Sequence, residues 1–202
     1  MFAAGGLAAF LLAVALIELT PGPNMGYLAM VASRSGRAAG MMTVAGVTVG
    51  LAIYLAASVL GLAEAALRWP WLYQGLRWAG VAYLAWLAFD AWRGAETDAA
   101  PPHDGGDLFL RGLINNLLNP KAAVFYIALL PEFVRPEAGR VAAQALTLGA
   151  IHIAVSFAVH TAIVWGAAGA KPALDALNRG AIQKLFAAGL AGIAVWLAIT
   201  TR

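Results

Sequence analysis

Two short polar stretches interrupt long apolar runs, and they carry most of the chemistry this chain could do. The first is Thr20, Pro21, Gly22, Pro23 and Asn24; the second holds Asn115, Asn116, Asn119, Pro120 and Lys121. Proline removes a backbone donor and blocks the carbonyl one turn earlier, so each stretch breaks a helix. The half-helices that begin after Pro23 and Pro120 expose free N–H groups with partial positive charge, which bind anions, carboxylates among them. The carbonyl ends of the preceding half-helices favour cations. Two such breaks facing each other would make a site for a small zwitterion, and an amino acid has that charge pattern. The candidate binding residues are Pro21, Gly22, Pro23, Asn24, Asn116, Asn119, Pro120 and Lys121.

Lys121 stands well inside an apolar run, where an ammonium group is costly. At the start of a half-helix it adds to the positive end, so it requires an anion. The candidates are a substrate carboxylate, Glu18 just before the first break, and Asp90. A permanent pair with Glu18 or Asp90 would only lock the bundle; a substrate carboxylate would make Lys121 part of a binding site. Asn24 and Asn119 can cap the half-helices, line the site, or do both. His152, Ser156 and His160 fall at steps of four residues, on one stripe of a helix. The stripe reads as a hydrogen-bonded face turned into the bundle, or as a proton path, since histidine titrates near neutral pH. Glu18, Asp90, His152 and His160 are the ion-coupling candidates. A metal site is not expected: the two histidines have no nearby acid or cysteine in sequence, and there is no H-E-x-x-H.

The elements that must position these residues follow from composition. The chain has 202 residues, 62% hydrophobic and only 11% charged, too few polar side chains to cover a water-exposed surface. Its apolar runs reach roughly 20 residues, the length that crosses a hydrocarbon core of about 30 Å. The reading is an all-α integral membrane protein. The 13 Lys and Arg are spread thinly and not clustered on a face, which argues against nucleic acid as a partner. No cysteine is present, so disulfides and thiolate sites are excluded. The first apolar run lacks a basic leader and a small-residue cleavage site, and is expected to be a retained span.

Six spans are expected, at 2–32, 39–63, 72–93, 108–134, 141–168 and 180–199, with the first and fourth broken. Residues 1–93 form one three-helix unit, 94–107 a polar linker and 108–202 a second unit. Trp69, Trp71 and Trp92 mark the interfaces of the third span, with Arg77, Arg179 and Lys184 near span ends. The units resemble each other. Gly36-Arg37 matches Gly139-Arg140, Gly46 matches Gly149 at the same offset, and Pro23 matches Pro120. A tandem repeat of three spans must enter the membrane in opposite orientations, the inverted-topology repeat of many secondary transporters. The distribution of Lys and Arg between the loops places both termini outside, by a narrow margin.

"LTPGPNM" and "RGLINNLLNPKAAVFYIALLPEFV", with "LRWAGVAYLAWLAFDAWRG" between them, resemble the LysE/RhtB-type amino-acid exporters over essentially the whole chain. That resemblance implies a multi-pass protein of the bacterial inner membrane and no enzyme. It implies export of amino acids or close derivatives by alternating access, coupled to the proton motive force. The partners would be an amino-acid substrate, protons and the bilayer, with a homodimer as the assembly to look for and no cofactor. The alternative is a metal or other inorganic-ion exporter of the wider superfamily. One departure from the family pattern stands out. Many members place an acidic or polar residue after the G-x-x-x-G of the second span, where this chain has Leu51.

Overall fold

The computed structural model describes residues 4–20, 22–61, 70–97, 105–170 and 179–200. Pro21 and Trp69 lie outside the described residues, as do the side chains of Arg77, Asp90 and Arg179. All described secondary structure is helical: α1 (Ala4–Leu19), α2 (Pro23–Val59), α3 (Pro70–Thr97), α4 (Gly105–Leu117), α5 (Pro120–Val124), α6 (Val141–Gly169) and α7 (Arg179–Thr200). The helical path after α5 continues through a π-helical segment, Phe125–Leu129, and a turn, Leu130–Glu132. Among the described residues, α2 and α6 are each long and apolar enough to cross a membrane. α4 together with Pro120–Glu132 would form a third span, bent by 52° at its break. The linker expected at 94–107 is shorter than its composition suggests. α3 runs on to Thr97, and α4 already begins at Gly105 with Asp107 in its first turn, where a carboxylate complements the helix dipole. Asp107 also pairs with Arg111 one turn on, Oδ2 to Nε 3.0 Å.

The first and second expected spans meet at a single residue. Gly36, at φ 86° and ψ −175°, is the only non-helical position inside α2, and the chain turns there without a loop. Gly139 has nearly the same backbone, φ 67° and ψ −177°, just before α6. That conformation is close to forbidden for residues with a Cβ. The two glycines are the matched Gly-Arg positions of the two halves. The Gly139 corner is stitched from inside by Gln144, a fully buried side chain that sequence reasoning had not singled out. Its Nε2 donates to Arg135 O and Gly139 O, and its Oε1 accepts from Arg135 N. No atom lies within 4 Å of where a Cβ would stand at Gly36 or Gly139. Gly36→Ala and Gly139→Ala therefore act through the backbone alone, each costing about 1–3 kcal/mol. Thermal unfolding of the purified variants in detergent should show both below wild type.

Among the described residues, three apolar cores hold the helices. Phe10 and Val14 of α1 pack with Leu51 and Leu55 of α2, Ala122, Phe125, Tyr126, Leu130 and Leu148. Leu28, Ala32 and Val44 of α2 pack against Val164 of α6. Tyr27, Met30 and Val31 of α2 meet Ala88 of α3, Leu108 of α4, and Ala187 and Ala194 of α7. Close helix approach depends on glycine. A Cβ on Gly46 would strike the Phe109 carbonyl, and one on Gly112 the Thr43 carbonyl, so α2 and α4 touch backbone to backbone. Gly149, the sequence match of Gly46, faces Leu55 instead, so the match in offset does not extend to equivalent packing.

Candidate functional site

The two breaks meet inside the bundle. α1 ends at Leu19 and α2 begins at Pro23; α4 ends at Leu117 and α5 begins at Pro120. Asn24 bridges them. Its Nδ2 donates to Asn116 Oδ1 at 2.9 Å, and its Oδ1 accepts from Asn115 Nδ2 at 2.9 Å. All three amides are buried. Lys121 closes the other side of the junction, its Nζ donating to Thr20 O at 2.8 Å. This carbonyl belongs to the last turn of α1, so it is one of the acceptors the break leaves free. The lysine stem lies along Gly22, where a Cβ would sit 3.4 Å from Lys121 Cδ.

The two half-helix starts are finished differently. Asn119 caps α5, its Oδ1 accepting from Lys121 N at 3.0 Å. Asn24 caps nothing, and the start of α2 at Gly22 has no side-chain cap. The backbone donors there stay available beside the Lys121 ammonium, which makes this the more positive of the two ends. The freed carbonyls find partners across the bundle. Tyr54 OH donates to Leu117 O at 2.7 Å, at the end of α4. Pro131 lacks the N–H that would serve the preceding turn, and Ser58 Oγ donates to Tyr126 O at 3.2 Å.

Glu18 does not pair with Lys121. It is buried against α6, its Oε1 3.1 Å from His152 Nε2 and its Oε2 3.9 Å from His160 Nε2. His152 is held from behind by Tyr126 OH, 3.0 Å from Nδ1, and stacks on the Phe125 ring at 3.6 Å between centroids. His160 Nδ1 reaches Ser156 Oγ at 3.3 Å. The helical stripe is thus turned inward and meets a carboxylate 134 residues away in sequence. Although Glu18, His152 and His160 stand together, no group of three His, Asp or Glu among the described residues is arranged to hold a metal ion. Phe125 and Tyr126 carried no sequence signal of their own. Both reach His152 because the helix after Val124 widens to π geometry, which lets consecutive residues face one neighbour.

These side chains line a cavity of about 20 Å³. Its wall includes Glu18, Gly22, Asn24, Asn116, Asn119 and Lys121, together with His152 and His160. Such a volume holds roughly one water molecule. Two of the lining residues carry a buried polar atom without a hydrogen-bond partner, Glu18 Oε2 and Asn116 Nδ2, and Asn115 Oδ1 beside Asn116 is a third such atom outside the wall. Leu51 is also on the wall, so the cavity's carboxylate comes from α1 and not from the second span. Of the sequence candidates, Gly22, Asn24, Asn116, Asn119, Lys121, Glu18, His152 and His160 gather here. Pro23 and Pro120 open the helices whose starts form its edge. Asp90 stands on α3.

A family model described as LysE type translocator matches residues 15–201, both breaks included. The chain belongs to this family. The homoserine/homoserine lactone efflux protein of Salmonella typhimurium is 34% identical over 157 residues, covering 76% of this chain and 76% of its own. The threonine efflux protein of Escherichia coli K12 is 31% identical over 143 residues, 65% of this chain and 69% of its own. No solved structure matches. As a LysE type translocator the chain is a membrane transporter and not an enzyme, and the breaks are features of a transport protein.

Proposed function

We propose that this translocator exports amino acids or close derivatives from the cytoplasm of a bacterium across its inner membrane. The substrate zwitterion sits between the two helix breaks. Its carboxylate takes the uncapped start of α2 and Lys121; its ammonium takes the acidic side of the cavity at Glu18. The observation that carries this reading is the bridge between the breaks, Asn24 to Asn115 and Asn116 with Lys121 to Thr20, around a polar cavity with unpartnered buried atoms. Broken helices at membrane depth persist where they line a polar site. The efflux activities named for the two relatives support a small amino-acid cargo.

A cavity of about 20 Å³ is too small for any amino acid, so it describes a contracted state. Loading must part the two breaks, and Lys121 must leave Thr20 for the substrate. Alternating access supplies that motion: two three-helix units in inverted orientation rock about the site, driven by the proton motive force. The shared backbone of Gly36 and Gly139 at matched positions supports the repeat. The binding set is Pro21, Gly22, Pro23, Asn24, Asn116, Asn119, Pro120 and Lys121.

The test is counterflow and efflux of an amino-acid panel in proteoliposomes, with and without a pH gradient. Exchange of at least one small amino acid, including homoserine or threonine, is expected. Exchange of none, with cellular metal tolerance altered by deletion of the gene, would overturn the reading in favour of an inorganic cargo.

A further inference from the structure

Glu18 holds its two oxygens in different states. Oε1 faces His152 Nε2 at 3.1 Å. Tyr126 OH lies 3.0 Å from His152 Nδ1, so both ring nitrogens of His152 have a polar partner. Oε2 is buried and has no hydrogen-bond partner. Facing it is His160 Nε2, at 3.9 Å, inside ion-pair range and beyond hydrogen-bond range. Both residues line the cavity. The charged or titratable groups around His160 are Glu18 from α1, Lys121 from α5 and His152 from its own helix, with Tyr126 behind His152. An acceptor left open beside a titratable ring needs a donor, and two are at hand in a transport cycle.

We propose that Glu18 Oε2 is a single acceptor for which a proton carried on His160 and the ammonium group of the substrate compete, so that the two occupy the site in turn. This rests on the amino-acid reading above. Substrate-free, His160 Nε2 takes a proton and closes on Oε2 as an imidazolium. When the zwitterion arrives, its ammonium claims Oε2. Imidazolium and ammonium cannot share one carboxylate oxygen between buried side chains, because like charges at contact repel with little solvent to screen them. The proton therefore leaves His160 on the side from which the substrate came. On the opposite side the order reverses: a proton enters, the ammonium is displaced and the zwitterion departs. Each cycle moves one neutral zwitterion out and one proton in. The exchange carries one positive charge inward, so an acidic exterior and an inside-negative potential both drive it. His152, satisfied by Tyr126, holds Glu18 in place throughout.

The experiment compares wild type with His160→Asn and Glu18→Gln in proteoliposomes, using L-threonine. Wild-type counterflow, with equal pH on both sides, should fall progressively on acidification from about pH 8, because protons occupy the acceptor. His160→Asn should flatten that profile and lose at least ten-fold of the uphill transport driven by a pH gradient. Glu18→Gln should lose counterflow itself. Threonine added to detergent-purified wild type in weak buffer, at a pH where counterflow is already depressed by protons, should release about one proton per molecule bound. A His160→Asn protein that keeps gradient-driven transport and the wild-type pH profile overturns the proposal, as does binding without proton release. Wild-type protein that exchanges no amino acid removes the amino-acid reading and this inference with it. That outcome is distinct, since it needs no variant.

Discussion

Lys121→Met should sharply weaken export while leaving the protein in the membrane. Methionine keeps the length of the stem that lies along Gly22 and removes the ammonium that reaches Thr20 O. Losing one charge-assisted hydrogen bond to the substrate carboxylate costs about 1.5–3 kcal/mol, roughly a 10- to 150-fold loss of affinity. The loss should appear as a raised KM in counterflow, with membrane yield near wild type. If Lys121 serves only to tie the end of α1 to α5, the variant would instead lower the melting temperature and leave transport per folded molecule intact. That pattern would remove Lys121 from the binding set. Substitution of Asn119 would then also act through stability, since its side chain caps α5 at the Lys121 amide.

Gly46→Ala should strongly impair assembly. The added methyl would meet the Phe109 carbonyl and the Leu113 amide, both backbone atoms of α4. Backbone cannot rotate aside as a flexible side chain can, so α2 and α4 must separate along their contact. Overpacking of a tight interior typically costs about 1–3 kcal/mol, and a clash with backbone on both flanks falls at or beyond the upper end. Little folded protein should be recovered from membranes, with aggregation on detergent extraction. Gly149→Ala is the informative contrast. There the methyl meets only the end of the Leu55 side chain, which can change rotamer, so a milder loss is expected. Equal behaviour of the two variants would show that α2 and α4 are not held at backbone contact.

Much of this protein was legible in the order of its residues. Proline in an apolar run breaks a helix wherever it falls, so Pro23 and Pro120 marked the two breaks. Gly36-Arg37 and Gly139-Arg140 were legible as a match between the halves; that both glycines are corners came from the structure, where they take a positive φ with ψ near 180° that only glycine adopts at no cost. Four-residue steps put His152, Ser156 and His160 on one face of α6, and that face is buried. These are local rules, in which one or two turns of chain decide the outcome.

Pairing across the bundle obeyed no such rule. Lys121 had Glu18, Asp90 and a substrate as partners by sequence; in the structure its ammonium takes the Thr20 carbonyl, and Glu18 turns to His152 and His160. Asn24 and Asn119 had the same two roles open, and only Asn119 caps, while Asn24 reaches across to Asn115 and Asn116. Tyr126 enters the site through a π-helical turn, a change of register that no period in the sequence announces. Sequence periodicity says which side of a helix is buried. How far each helix is rotated and slid against its neighbours decides which buried polar groups come within 3 Å. Here that was set by the glycine contacts and by Phe10, Leu51, Leu55 and Leu148 packing together, and through them by the whole bundle at once.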